Sequence, residues 1–207
     1  MGIFTNKLLD AARMIFRAIY RARLAMLAVG LTYLISVVAG MIMVHAGNQF
    51  ALEYRDNLVS NAQSSPIIVA LDQNNRLLAA LLDTGGNLIG AVSNTLAGLG
   101  VIFPFPFIAF RGWIGGIVSI DGAHVSRLAD PQEAFYYLST LILQLIPSIL
   151  AAGAGVNLGL SLYRQMPYYQ GKKWLGVSVD AIKDVLWIYL LVIPLLLMAS
   201  LWEFGMR

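Results

Sequence analysis

Within the apolar stretch Arg76–Ile120 stand four polar residues, Asp83, Asn87, Asn94 and Arg111. Hydrocarbon has no water to hydrate a carboxylate, an amide or a guanidinium, so each must face another helix, a wet cavity or an interface. On a helix, Asp83, Asn87 and Asn94 are separated by four and seven residues and share one face. That face suits hydrogen bonding between helices, and it equally suits a polar pathway or substrate site. Asp83 can pair with Arg111 or remain protonated. Gln144 and Asn157, in a later apolar run, are too far apart for a tight face match, and each reads as a group that bonds across helices.

None of these residues completes a catalytic set. Asp83-Thr84-Gly85 spells the aspartic-protease tripeptide, yet that chemistry needs two carboxylates sharing a proton, and no second copy occurs. Two histidines, His45 and His124, and no cysteine leave no zinc-hydrolase or thiolate motif. Ser93 lies in Gly-Ala-Val-Ser-Asn, which is not a nucleophile elbow, and there is no phosphate loop. The expectation is a protein without catalysis, cofactor or metal.

Small residues mark how the helices meet. Gly86 and Gly90, Gly112 and Gly116, and Gly155 and Gly159 are glycine pairs at the four-residue spacing that lets backbones approach closely. Composition sets the solvent: 58% of residues are hydrophobic and 12% charged, with a mean hydropathy of +0.72, against about 25% charged in soluble domains. The class is an all-α, polytopic integral membrane protein.

Along the chain, residues 3–23 predict a basic amphipathic helix in the membrane interface, with Thr5 as a cap. Arg13, Arg17 and Arg21 lie on one face, and Leu8, Leu9, Ile15, Phe16, Ile19 and Tyr20 on the others. Such a helix suits lipid phosphates or a docked cytoplasmic partner; no aromatic-interleaved basic patch points to nucleic acid. Leu24–Ala46 is long enough to span, and its apolar run exceeds a signal-peptide core of about 7–15 residues, so it reads as an uncleaved anchor. Residues 47–65 form an outside segment, and Ser64-Ser65-Pro66 starts a short interfacial helix. From Arg76 the chain runs to the corner Phe103-Pro104-Phe105-Pro106-Phe107 and returns toward Asp121, as two spans or as a broken, re-entrant hairpin near Pro104. Asp121–Gln132 is a polar loop, Ala134–Leu162 a span, and Arg164–Lys183 basic and aromatic. The last span covers about Val185–Trp202, with Trp187 and Trp202 as interface anchors.

The domain division is a basic helix over 1–23 and one membrane domain over 24–207. Five crossings put Lys7, Arg13, Arg17, Arg21, Arg23, Arg164, Lys172, Lys173 and Lys183 on one side. By the positive-inside rule that side, with the amino terminus, is cytoplasmic. Arg55, Arg76, Arg127 and Arg207 fall opposite.

Asn74-Asn75-Arg76 with Gly86 and Gly90, Arg111-Gly112 with Gly115 and Gly116, and Leu138–Gly159 together resemble the stage II sporulation protein M family of integral membrane proteins. Asn74-Asn75-Arg76 with Gly86 and Gly90 resembles the family's paired asparagines ahead of a glycine-spaced span. Arg111-Gly112 with Gly115 and Gly116 resembles its Asn-Gly and following glycine, and Leu138–Gly159 its proline-containing lead into an Ala/Gly-rich helix. The similarity covers about residues 66–160. Thr140 stands where the family has histidine, Gln144 where it has glutamate and Arg111 where it has asparagine, and Pro147 is shifted by one. The resemblance implies an all-helical membrane component that works in assemblies, the sporulation member acting with membrane-anchored cell-wall hydrolases.

Two functions follow as expectations. One is a noncatalytic scaffold or anchoring subunit of the cytoplasmic membrane that associates with itself, with other proteins and with membrane lipids. The other is a permease-like transport subunit driven by a separate cytoplasmic ATPase.

Overall fold

The computed structural model describes residues 2–205, without the side chains of residues 2–6 and 8. The Thr5 cap, the Leu8 side chain and Arg207 therefore lie outside the described residues. Seven α-helices appear among the described residues: α1 (Gly2–His45), α2 (Gln49–Ala62), α3 (Pro66–Asp72), α4 (Arg76–Ala97), α5 (Pro104–Ile117), α6 (Pro131–Tyr163) and α7 (Val179–Gly205). A single 3-10 turn, Gly98–Gly100, joins α4 toward α5. The fold is all-α except for a small hairpin between α6 and α7, in which β1 (Lys173–Trp174) pairs antiparallel with β2 (Val177–Ser178). Its turn residues Leu175 and Gly176 both have positive φ, as a primed two-residue turn requires.

Local chemistry sets these boundaries. The Ser65 hydroxyl accepts from Ile68 N–H with Pro66 in the first turn of α3, the Asn75 side chain accepts from Leu78 N–H at the start of α4, and Asp130 accepts from both Gln132 and Glu133 N–H at the start of α6. Each satisfies amides that a helix leaves open. Between Ile3 and His45 there is no proline. The basic segment and the first span are accordingly one unbroken 44-residue helix rather than two elements.

Three helices are long and apolar enough to cross a bilayer: Leu9–His45, Pro131–Tyr163 and Val179–Gly205. The chain is thus a multi-pass membrane protein. The sequence reading counts five crossings, and the other two helices fall short for different reasons. α4 has 22 residues but carries Asp83, Asn87 and Asn94. α5 has 14, about 21 Å of helix against about 30 Å of hydrocarbon.

The core is built on small residues. α1 packs along α5, and α6 packs along α7 and α1. Ala18, Ala22 and Met26 of α1 join Ala151 and Ala154 of α6 and Ile188, Val192 and Leu196 of α7 in one buried cluster. Val29, Tyr33 and Val37 join Ile108 of α5 and Ala152 and Val156 of α6 in a second. At the α2 end, Phe50 stacks on Trp113 of α5, and Tyr54 meets Phe110 edge-on and Trp113 at a tilt, the aromatic band expected where a helix meets the membrane surface.

Candidate functional site

Two of the three glycine pairs seat a neighbouring backbone. A Cβ on Gly112 would stand 2.5 Å from the Tyr33 carbonyl oxygen, and one on Gly116 would stand 2.9 Å from the Gly40 Cα, so only hydrogen fits where α5 crosses α1. At Gly155 it would stand 2.5 Å from the Thr95 carbonyl oxygen, and at Gly159 2.1 Å from the Gly98 carbonyl oxygen. The third pair behaves differently. Gly86 is exposed with nothing within 4 Å of an added Cβ, and Gly90 meets only the Arg111 guanidinium at 3.4 Å. Spacing along α4 could not reveal that α7 packs on the neighbouring stripe, where Ala79, Ala80 and Ala91 are buried.

Two of the three polar residues of the α4 row join a chain of bonds between helices. Ser200 of α7 donates to Asp83 Oδ2 at 2.7 Å, and Asn87 Nδ2 donates to the same oxygen at 2.9 Å. Arg111 of α5 donates to Asn87 Oδ1. Asp83 and Arg111 are therefore linked through Asn87 and do not touch. Asn94, half-buried one turn further from Gly90, joins none of these bonds. The stronger interhelical contact at that level is Thr95, whose hydroxyl donates to the Ala151 carbonyl at 2.9 Å and shares a hydrogen bond with Tyr189 at 2.8 Å.

A second cluster lies at the opposite end of α7. Arg21 pairs with Asp184 at 3.2 Å, the Tyr169 hydroxyl donates to Asp184 Oδ2 at 2.7 Å, and Asn157 Nδ2 donates to the Tyr169 oxygen at 2.8 Å. The Tyr169 and Tyr168 rings flank the Arg21 guanidinium. Burial first, and then the bond to Asp184, push the Tyr169 phenol well above its usual range, so it stays a donor. Of the three predicted interface arginines, Arg13 and Arg17 are exposed, and Arg13 has only Asp10 nearby at 3.4 Å. Arg21 instead belongs to the bundle. No local pattern marks Asp184 and Tyr169 in the sequence, because the cluster forms only when α1, α6, the following loop and α7 come together.

Between α1, α5, α6 and α7 is a cavity of about 300 Å³ lined by Tyr33, Arg111, Arg127, Tyr137, Thr140, Gln144 and Glu203, among others. Gln144 Nε2 donates to Glu203 Oε2 at 2.7 Å, and the Tyr137 hydroxyl donates to the Gly115 carbonyl at 2.6 Å. The Thr140 hydroxyl oxygen is buried without a partner. The adjoining loop is held by carboxylates: Asp121 accepts from Ala123 and Val125 N–H at 2.8 Å, and the Val125 bond leads the effects that lower its pKa. Asp56 is lowered by its hydrogen bonds to Arg55 and then to His124. Among the described residues no group of three or more histidine, aspartate or glutamate side chains is arranged to hold a metal.

No family model, curated protein or solved structure matches the chain.

Proposed function

We propose that this chain is a noncatalytic scaffold or anchoring subunit of the cytoplasmic membrane, whose basic helical extension receives a partner. The observation that carries this reading is the length of α1. Its 44 residues make about 66 Å of helix, roughly twice what a bilayer core needs. Among the described residues its first buried one is Ala18; ahead of it Leu9, Met14 and Phe16 are exposed together with Arg13 and Arg17. An extension with apolar and cationic residues both uncovered suits lipid phosphates or an acidic partner surface. Self-association then falls to the outer face of α4, where Leu82, Gly85, Gly86 and Ile89 are exposed, because the other glycine pairs are occupied within the chain.

The topology of this reading has the amino terminus in the cytoplasm and α4 and α5 as a re-entrant hairpin. Gly98 at its tip abuts Gly155, eight residues before α6 ends at Tyr163. That leaves the tip about 12 Å short of the α6 terminus. A hairpin that enters and leaves on one side gives the same sidedness as two full crossings, so the five-helix orientation and the basic cytoplasmic loops are retained. The resemblance to the stage II sporulation protein M family supports an assembly role in the same sense.

Transport with a separate ATPase is the second reading, and the cavity beside Arg111 favours it. The polar row itself supports it less, since Asp83 and Asn87 are already bonded to Ser200 and Arg111. The test is purification from native membranes in nanodiscs and identification of what travels with the chain. The scaffold reading expects a partner that is lost on Arg13→Glu/Arg17→Glu replacement while the bundle stays folded. Isolated monomers with no companion would overturn it, and a co-purifying ATPase would favour transport.

A further inference from the structure

The cavity beside Arg111 is one of three adjoining spaces. It shares Arg127, Tyr136 and Tyr137 with a wider vestibule of about 680 Å³ at the start of α6. That vestibule shares Phe135 and Trp202 with an apolar groove of about 770 Å³ between α6 and α7, which continues over Ile142, Leu143, Met198 and Leu201. Charge changes along this path from cationic to acidic to neutral. Arg111 and Arg127 line the cavity together with Glu203, whose carboxylate accepts from Gln144, so two cations stand against one carboxylate there. Asp121, Asp130 and Glu133 line the vestibule.

We propose that these three spaces bind one ammonium-bearing glycerophospholipid, its phosphate between Arg111 and Arg127, its ammonium at the vestibule carboxylates and an acyl chain in the α6–α7 groove. The guanidinium donors match phosphate oxygens, which they bind more strongly than neutral acceptors. The buried, partnerless Thr140 hydroxyl in the same cavity can add a further donor; an unmet buried hydroxyl is costly and calls for an occupant that bonds it. Asp121 and Asp130 each commit only one oxygen to backbone amides, so both retain acceptor capacity for an ammonium group. The acidic mouth opposes a free phosphate dianion arriving through water. A lipid that slides in from the bilayer reaches the arginines with its own cation facing that mouth. The groove supplies the apolar half of the ligand, and Trp202 at its rim, bonded through Nε1 to Ser139 at 3.0 Å, is placed as aromatic side chains are at the headgroup level.

The test uses the full chain in nanodiscs of equimolar phosphatidylethanolamine and phosphatidylglycerol, extracted into detergent and weighed by native mass spectrometry. One phosphatidylethanolamine should be retained per chain. Arg127→Gln should lower retention about tenfold, the effect of losing one charge-assisted hydrogen bond. Glu133→Gln should shift the retained species toward phosphatidylglycerol. Ile142→Trp alters a residue that is 52% exposed; it should block lipid retention yet leave binding of soluble phosphoethanolamine unchanged. Equal retention in the parent chain and Arg127→Gln would overturn the proposal. So would displacement of the lipid by an equal concentration of inorganic phosphate, which would mark a site for a free anion.

Discussion

Replacing Gly159 with alanine should destabilise the bundle far more than the same change at Gly86, although both belong to glycine pairs of identical spacing. A Cβ at Gly159 would stand 2.1 Å from the Gly98 carbonyl oxygen and 2.9 Å from that of Leu99. Ordinary contact begins near 3.4 Å, so α6 and the 3-10 turn must separate by more than 1 Å, and neither obstacle is a side chain that can rotate away. Overpacking of this kind costs about 1–3 kcal/mol. The shift also strains the Thr95 hydrogen bonds to Ala151 and Tyr189 one turn away, and interhelical bonds of that type contribute about 0.6–2 kcal/mol. For a chain of this size each kcal/mol moves the melting temperature by about 2–4 °C, so the expected drop is on the order of 5–10 °C. At Gly86 there is nothing within 4 Å, and alanine is the better helix former by up to about 1 kcal/mol. Thermal unfolding in detergent, followed by loss of the monodisperse gel-filtration peak, reads both variants. Melting of Gly159→Ala with the parent chain, or a fall of Gly86→Ala as large as that of Gly159→Ala in a monomeric preparation, would refute this difference between the two seats.

The arginines of α1 should divide by role. Arg21→Gln leaves Asp184 with one fewer charged partner, and because the Arg21 side chain is 30% exposed the loss should be about 1–3 kcal/mol rather than that of a fully buried pair; Arg17→Gln should leave melting unchanged and weaken binding to anionic vesicles. The loop after α5 should loosen in acid. Asp121 and Asp56 have folded pKa values below their ordinary ones, so the unfolded chain takes up their protons first. Their contribution is present above the ordinary carboxyl value of about 4 and is lost as pH falls through the depressed range. Amide exchange at Ala123 and Val125, corrected for the intrinsic pH dependence, should rise there; flat protection down to pH values well below that range would refute this linkage.

The sequence reading was strongest where a property belongs to one stretch of chain. Apolar length alone marks α6 and α7, and the helix start at Ser65 and Pro66 is recognisable from its own neighbours. It was weakest where a property belongs to a pair. Asp184 sits in an otherwise ordinary helix start, and only the fold brings Arg21, 163 residues away, to within 3.2 Å of it. Gln144 reads as a helix-bonding amide, and it does bond, but to Glu203 of α7, which no local pattern links to it. The change in composition predicts a break between the basic segment and the first span, whereas helix continuity depends on backbone groups that the change does not interrupt.

The glycines illustrate the same limit most sharply, because spacing defines a notch without saying what fills it. Gly98 and Gly40 belong to none of the predicted pairs, yet Gly98 faces Gly155 and Gly40 faces Gly116, each with added-Cβ distances of 3.0 Å or less. Close packing therefore requires a backbone stretch uncovered on the facing helix as well, and a glycine pair on one helix is only half of the condition. Gly112 with Gly116 and Gly155 with Gly159 meet it, since Tyr33, Gly40, Thr95 and Gly98 offer backbone atoms opposite them. On Gly86 the condition is unmet within the chain. That difference makes α4 the face on which a second copy would have to be sought, and it makes the two filled seams the part of the bundle least able to open.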